Sequence, residues 1–425
     1  MEYPYQQYMY SYPHKIAYRT LHGINLKEYL GRLSGSSNSL YFHIPFCQYK
    51  CGYCNLFSLA GQSMQQMERY VGAMGRHARQ IAKIMPTDAV FSDLTLGGGT
   101  PLALPERLLQ NVFSIARDYF GIEAGKQMAV VETSPNQTTE AKLRILKEEG
   151  VSRISIGVQS FQEEELLALH RFHTAAAAKK ALGFIRDTGF RCVNVDLIYG
   201  IPGQTMESFE DSLRQALEFE PEELFVYPLY IKPGTYLYHQ GAECSKDAFG
   251  MYQFARGFLM EAGYRPFSMR RFVKRGQGSQ ELLPSLCGFG NTISIGCGGR
   301  SYVGNLHFCT PYAVDPKQCH SILQNYMEQE DFCNAAHGFL LSPEEEKRRY
   351  AIKHVLFGKG ICLADYRKNF GSEVERDFPF LLEWVENGHA VFGEGFLSLT
   401  EQGFALSDYL GPQLISDKVR RLMGL

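Results

Sequence analysis

Six short runs rich in Val, Ile, Leu, Phe and Tyr recur near residues 39–46, 89–97, 128–134, 151–159, 192–199 and 223–230. Between them lie helix-length stretches near 64–84, 105–119, 138–149, 174–188 and 205–219. Several open on turn or cap residues such as Pro105 and Thr174, and Gly150 and Gly189 sit where helices should stop. This alternation predicts a parallel α/β sheet with right-handed crossovers. In such folds the carboxyl ends of the strands carry the active site, so the residues that follow each run are the ones to read for chemistry.

The first run leads into Cys47, Cys51 and Cys54, a C-x3-C-x2-C spacing. Four thiolates close an iron–sulfur cluster for electron transfer. Three leave one iron of a four-iron cluster free to coordinate a small molecule, as an open position does in catalytic metal sites. A structural zinc site lacks its fourth ligand here: His43 precedes Cys47, but the next cysteine downstream is Cys192. The chain has 11 cysteines, an odd number, and shows no secretory leader. That favours a reducing compartment over disulfides and leads to the expectation of a cytoplasmic protein. Cys192, Cys244, Cys287, Cys297, Cys309, Cys319, Cys333 and Cys362 have no paired metal spacing and read as small apolar residues or surface thiols.

The other strand ends are also distinctive. Gly97, Gly98, Gly99, Thr100 and Pro101 follow the second run, Glu132 and Pro135 end the third, Gln159 ends the fourth and Asp196 lies late in the fifth. Glycines there would let a backbone edge approach a ligand closely. With 45% hydrophobic residues, the chain can bury one or two substantial cores in two or three domains. A formal charge of -2 argues against a general nucleic-acid surface or an acidic tail, so no nucleic-acid partner is expected. No apolar run reaches the roughly 18 residues of a membrane span.

Residues Tyr41 to Cys54 resemble the cluster motif of radical S-adenosylmethionine (SAM) enzymes, and their Tyr-x-His-Ile-Pro-Phe-Cys form is similar to the oxygen-independent coproporphyrinogen III oxidase branch. The stretches 97–101, 153–161, 169–173 and 194–203 resemble that branch in order and spacing, over roughly residues 39–235. The resemblance implies an incomplete barrel of six βα units, with a 4Fe-4S cluster on Cys47, Cys51 and Cys54. It also implies SAM on the open iron, contacted by Gly97, Gly98, Gly99, Thr100, Glu132, Gln159, Arg171 and Asp196. Within that set an aspartate suits ribose hydroxyls and Arg171 suits a carboxylate. Tyr41 is the catalytic candidate beside the cluster. The implied partners are a one-electron donor such as flavodoxin or ferredoxin and a small-molecule or tetrapyrrole substrate. A second SAM as methyl donor is left open, and so is a heme-binding or heme-trafficking role without turnover.

Departures mark the limits of this likeness. The oxidase proper carries a further cysteine where this chain has Leu56. Chaperone-like relatives carry Asn-Phe, then His-Asn and Tyr-Trp, where this chain reads 268–273 and 287–291 without them. Outside the core, the tyrosine-rich residues 1–38 are expected to form an arm strapped on the surface. Residues 39–235 are the radical SAM core, 236–340 a substrate-facing α/β extension, and 341–425 a winged-helix-like domain covering the barrel mouth. That domain starts at Ser342-Pro343 with a capping box to Glu345, and places Trp384 on an apolar helix face. Phe46, Tyr53, Phe57, Tyr227 and Tyr230 are candidate cavity walls. Arg265, Arg270, Arg271, Lys274 and Arg275 form a basic run that either receives an anionic substrate or is a solvated loop.

Overall fold

The computed structural model describes residues 5, 7–9, 11–35, 37–276 and 290–425, so Cys287 lies outside the described residues. Six consecutive parallel strands form the core: β2 (Ser37–Ile44), β3 (Val90–Gly98), β4 (Met128–Thr133), β5 (Arg153–Gln159), β6 (Cys192–Tyr199) and β7 (Glu223–Pro228). Helices α1 (Met64–Ile84), α2 (Glu106–Phe120), α3 (Glu140–Glu148), α4 (Ala175–Thr188) and α5 (Met206–Leu217) connect them. The strands lie side by side in chain order. This is the succession of six βα units that the resemblance implies.

Local chemistry explains the helices. Ser63 and Gln66 close a reciprocal capping box at the start of α1, and Thr174 caps α4 by accepting from the Ala177 amide. Tyr70, Val71, Met74, Ala78 and Ile81 recur at helical spacing on the buried face of α1. The strands are buried on both faces, as a sheet wrapped by helices requires.

The sheet continues beyond the six strands. On one side β10 (Thr292–Ile295) adds a parallel strand to β2, followed by an antiparallel meander of β11 (Arg300–Val303), β12 (Leu306–Cys309) and β13 (Asn334–Leu340). On the other, β9 (Arg271–Lys274) pairs antiparallel with β7, and β8 (Tyr264–Pro266) with β9. The edge strand next to β13 comes from the amino-terminal segment: β1 (Arg19–Asn25). The segment is therefore more than a surface strap. Tyr5 is buried edge-on against Tyr199, and Met9, Tyr12 and Tyr18 enter the core of the carboxyl-terminal domain. Its tyrosines carry apolar rings into cores that a pattern search for amphipathic elements does not register.

In the carboxyl-terminal domain three helices, Pro343–Val355, Leu363–Phe370 and Phe380–Glu386, precede a hairpin of Ala390–Gly393 and Phe396–Leu399. Ser342 caps the first helix through the Glu345 amide. The Glu345 carboxylate is used elsewhere: it is buried, accepting from Tyr12 and from Ser416 Oγ at 2.8 Å. Trp384 is buried, with Nε1 donating to Gln413 at 2.8 Å. Among the described residues no helix is long and apolar enough to cross a membrane.

Within the basic run Arg270 and Arg271 are buried, Arg265 and Lys274 are half-buried and Arg275 is exposed. Arg271 and Arg153 both pair with Glu223, which is 0% exposed; the Arg153 contact is 2.9 Å. Arg270 pairs with buried Asp408 of the carboxyl-terminal domain and lies over the ring of Tyr8. Neither arginine is in a solvated loop, and both guanidinium groups already hold carboxylates. Removing Glu223 would leave two arginines buried without a counter-charge. Glu223→Ala is expected to cost about 3–5 kcal/mol, read as a lower urea midpoint, whereas Glu210→Ala, which removes a half-exposed ion pair with Arg214, should leave that midpoint nearly unchanged.

Candidate functional site

The site is assembled where β2 and β3 end. Gly98 is the last residue of the ladder, opposite Ile44, and the pairing then continues through loops: the Gly99 amide donates to Ile44 O and the Thr100 amide to Phe46 O, each at 2.8 Å. These two bonds fix the backbone immediately before and at the start of the cysteine loop. The glycines are required by space. A Cβ on Gly99 would lie 2.7 Å from Phe46 O and 2.9 Å from Cys47 Sγ. At Gly98, whose φ is +116°, a Cβ would strike the His43 ring at 2.6 Å. The run is thus a cradle in which backbone alone fits.

Three hydroxyl and guanidinium contacts surround the sulfurs. Thr100 Oγ1 lies 3.8 Å from Cys47 Sγ, Ser58 Oγ lies 3.9 Å from Cys54 Sγ, and Arg171 Nη1 donates to Cys51 Sγ at 3.0 Å. The loop is tied down at Gly52, whose amide donates to Leu169 O and whose carbonyl accepts from Leu237, each at 2.9 Å. Burial pushes the Cys47 thiol up to about 12, and the neighbouring Cys54 and Cys51 add to that shift; Cys54 is raised by burial and by Cys51. Three crowded thiols, of which Cys47 and Cys54 resist ionisation on their own, suit a polynuclear cationic group that takes them as thiolates. Among the described residues no three ligand side chains close around one ion-sized point. A cluster whose irons each take one thiolate makes no such demand. The donor set and the glycine cradle therefore fit a cluster with one open iron.

The remaining strand ends line the same rim. Glu132, on β4, accepts from the Gly98 amide at 3.1 Å, and its carboxyl is raised by burial. Tyr41 reaches the same place from β2: a Cβ on Gly97 would meet both Tyr41 OH and Glu132. Tyr41 OH donates to His43 Nδ1 at 3.2 Å while His43 Nε2 donates to Phe57 O at 3.0 Å. Burial draws that imidazole down to about 4, so it is neutral at ordinary pH and acts as a strut.

Gln159 ends β5 with φ +74°, at a register irregularity between Gly157 and Gln159. Positive φ at a non-glycine residue is uncommon and concentrates at functional positions. Its Oε1 accepts from Tyr227 OH at 2.8 Å. Arg171 also donates to Gly157 O, contacts Tyr53 OH at 3.5 Å, and keeps a buried Nε with no partner. Its guanidinium thus faces a cluster thiol in this structure. Asp196 on β6 accepts from Asn194 at 2.6 Å, and burial pushes its carboxyl up to about 7.

Sequence reasoning did not single out Ser58, and it gave no role to Gly157 and Asn194, which lie within the stretches 153–161 and 194–203. Of the candidate walls, Tyr53 and Tyr227 face the rim through Arg171 and Gln159. Phe46 and Phe57 pack as core against Tyr70 and His43, and Tyr230 bonds to Asp408 and Arg270. Leu56 is 42% exposed. A groove of about 520 Å³ lined by Glu68, Gly72, Arg107 and Asn111 lies between α1 and α2, on the outer helical layer and away from these residues.

Residues 41–216 match the family model of the radical SAM superfamily. The chain is 30% identical over 384 residues to the heme chaperone HemW of Bacillus subtilis (strain 168), covering 87% of this chain and 97% of that protein. It is 26% identical over 426 residues to the oxygen-independent coproporphyrinogen III oxidase of Escherichia coli (strain K12), covering 94% and 91%. The solved structure of the Escherichia coli coproporphyrinogen III oxidase (HemN), described as a radical SAM enzyme, aligns with a TM-score of 0.82 at 22% identity over 96% of each chain. That alignment shows the shared fold.

The raised carboxyl of Asp196 has a definite sign. Between about pH 4 and pH 7 the folded chain keeps a proton that the unfolded chain has lost, so this group's contribution to stability falls as pH rises through that window. In the absence of ligand, Asp196→Asn should gain stability relative to the parent from pH 4 to pH 8, by at most about 4 kcal/mol. Urea midpoints of both proteins at the two pH values measure it.

Proposed function

This chain belongs to the radical SAM superfamily, in its coproporphyrinogen III oxidase-like branch, and on that premise we propose that it is an enzyme cleaving SAM reductively to modify a small-molecule or tetrapyrrole substrate. The family implies a 4Fe-4S cluster and SAM. Bound together they supply a hydrogen-abstracting 5′-deoxyadenosyl radical, a reactivity that belongs to the cofactors. The protein's share is to bind, orient and shield.

The observation that carries this reading is the meeting of five strand ends at one rim, with three thiols, a backbone-only cradle and several buried polar groups. Cys47, Cys51 and Cys54 would hold the cluster. Gly97, Gly98 and Gly99 present backbone where any side chain would block a ligand. Thr100 supports Cys47, and Glu132 orients the Gly98 amide. Asp196 would accept the ribose hydroxyls and Gln159 would border the adenosyl group. Arg171, turned from Cys51 once that sulfur is ligated, would offer two donors to the SAM carboxylate. Tyr41, beside Glu132, is the catalytic candidate nearest the cradle. Tyr53 and Tyr227 would help keep water from the radical. A one-electron donor such as flavodoxin or ferredoxin is the proposed redox partner, and methyl transfer from a second SAM is a variant of the same reading.

A second reading has its own support: relatives that match over most of their length are named heme chaperones. In that reading the chain binds heme and turns over no substrate. The two are separated by anaerobic reconstitution with iron and sulfide, then dithionite and SAM. The catalytic reading expects 5′-deoxyadenosine from the parent and none from Cys47→Ala; a methyl-donating second SAM would add S-adenosylhomocysteine. Asp196→Ala should weaken SAM binding by about ten- to a hundredfold, the value of a charge-assisted hydrogen bond. Parent and Cys47→Ala giving equal 5′-deoxyadenosine would sink the enzyme reading, and stoichiometric heme binding without cleavage would establish the second.

A further inference from the structure

The amino-terminal segment brings a cation to the cysteine loop. Tyr12 is anchored to Glu345 and accepts from the Ser416 amide at 3.3 Å, and Arg300 Nη1 donates to Ser11 Oγ at 2.7 Å. These anchors hold the turn Lys15–Ala17 in place. Lys15 is 8% exposed, and its Nζ lies 4.0 Å above the ring of Tyr312. The Tyr312 hydroxyl in turn donates to Asn55 O, the residue after Cys54, at 3.0 Å. Within the loop itself Lys50 Nζ donates to Val314 O at 2.7 Å and to Ser58 O at 3.4 Å, and Ser58 Oγ approaches Cys54 Sγ.

Two ammonium groups, Lys15 buried and Lys50 half-buried, therefore lie near the Cys54 end of the loop, and among the described residues neither is paired with a carboxylate. At Glu223 and Asp408, by contrast, this protein answers buried arginines with acids. An ammonium buried without a counter-charge is costly, and one aromatic face replaces only part of the lost hydration. Burial and Arg300 draw Lys15 down to about 7, while Cys309 and Cys54 act in the opposite sense. What the pair lacks is a negative charge on the cysteine loop.

We propose that Lys15 and Lys50 are the counter-charges of the iron–sulfur cluster, stabilising its reduced state over its oxidised state. This rests on the cluster-binding reading above. Reduction adds one electron from the external donor and breaks no bond, so the added negative charge gains attraction to both cations in a medium that screens poorly. Both are positioning residues that act through the cluster.

The test is a spectroscopic redox titration, without SAM or substrate, of the anaerobically reconstituted parent, Lys15→Met, Lys50→Met and Lys15→Arg. At a fixed potential Lys15→Met should show about a tenfold lower ratio of reduced to oxidised cluster, a midpoint about 59 mV more negative for a one-electron couple. Lys50→Met should move the same way, and Lys15→Arg should stay near the parent. If Lys15→Met does not fold, the sign of the Lys50→Met shift decides. Unchanged midpoints in the methionine variants at parental iron content would overturn the proposal while leaving the cluster reading intact. A parent that takes up no iron would remove the cluster reading itself.

Discussion

The site depends on two strand ends brought together with nothing but backbone between them. β2 and β3 pair in parallel to the last residue of each, and Gly99 and Thr100 carry the pairing into the loop that holds Cys47. Any side chain on Gly98 or Gly99 would displace the His43 ring, the Phe46 carbonyl or the Cys47 sulfur. The same contact sets the position of the first thiol and leaves an open backbone edge beside it. Glu132 then locks the Gly98 amide, and Tyr41 closes over Gly97. A parallel ladder is well suited to this, because it delivers every strand's carboxyl end to one rim.

Buried charge is the second organising element. Arg153, Glu223 and Arg271 join β5, β7 and β9, so the six-stranded core and its antiparallel extension share one ionic centre. Arg270 and Asp408 do the same between the extension and the carboxyl-terminal domain, with Tyr230 and Tyr8 against them. In both places the acid lies far from the arginine in sequence. At the rim, by contrast, Glu132 and Asp196 are carboxyls raised by burial and held by neutral donors. Perturbed groups of this kind, gathered in one place, are what a ligand site requires.

Strand and helix positions in the core were legible because each element satisfies its own local pattern: apolar runs, caps at Ser63 and Thr174, and turns at Gly150 and Gly189. Motif order singled out residues that the structure brings together at the rim. The amino-terminal segment was misread as a surface strap. β1 finds its partner β13 more than 300 residues away, and Tyr12 and Tyr18 find theirs in the last domain, so no local signal exists for either. The roles of Arg270 and Arg271 were left open for the same reason. Solvated loop and anion site were both plausible while Glu223 and Asp408 could not be placed beside it.

By itself the sequence determined the alternation of strands and helices, the three cysteines and the order of residues at the strand ends, because these are set by spacing along the chain. Only the tertiary structure decided which acids answer Arg270 and Arg271, how the amino-terminal segment is anchored, and that Lys15 meets the loop after Cys54 through Tyr312. Those contacts join segments tens to hundreds of residues apart. The charge and burial that give them meaning exist only once the chain has folded.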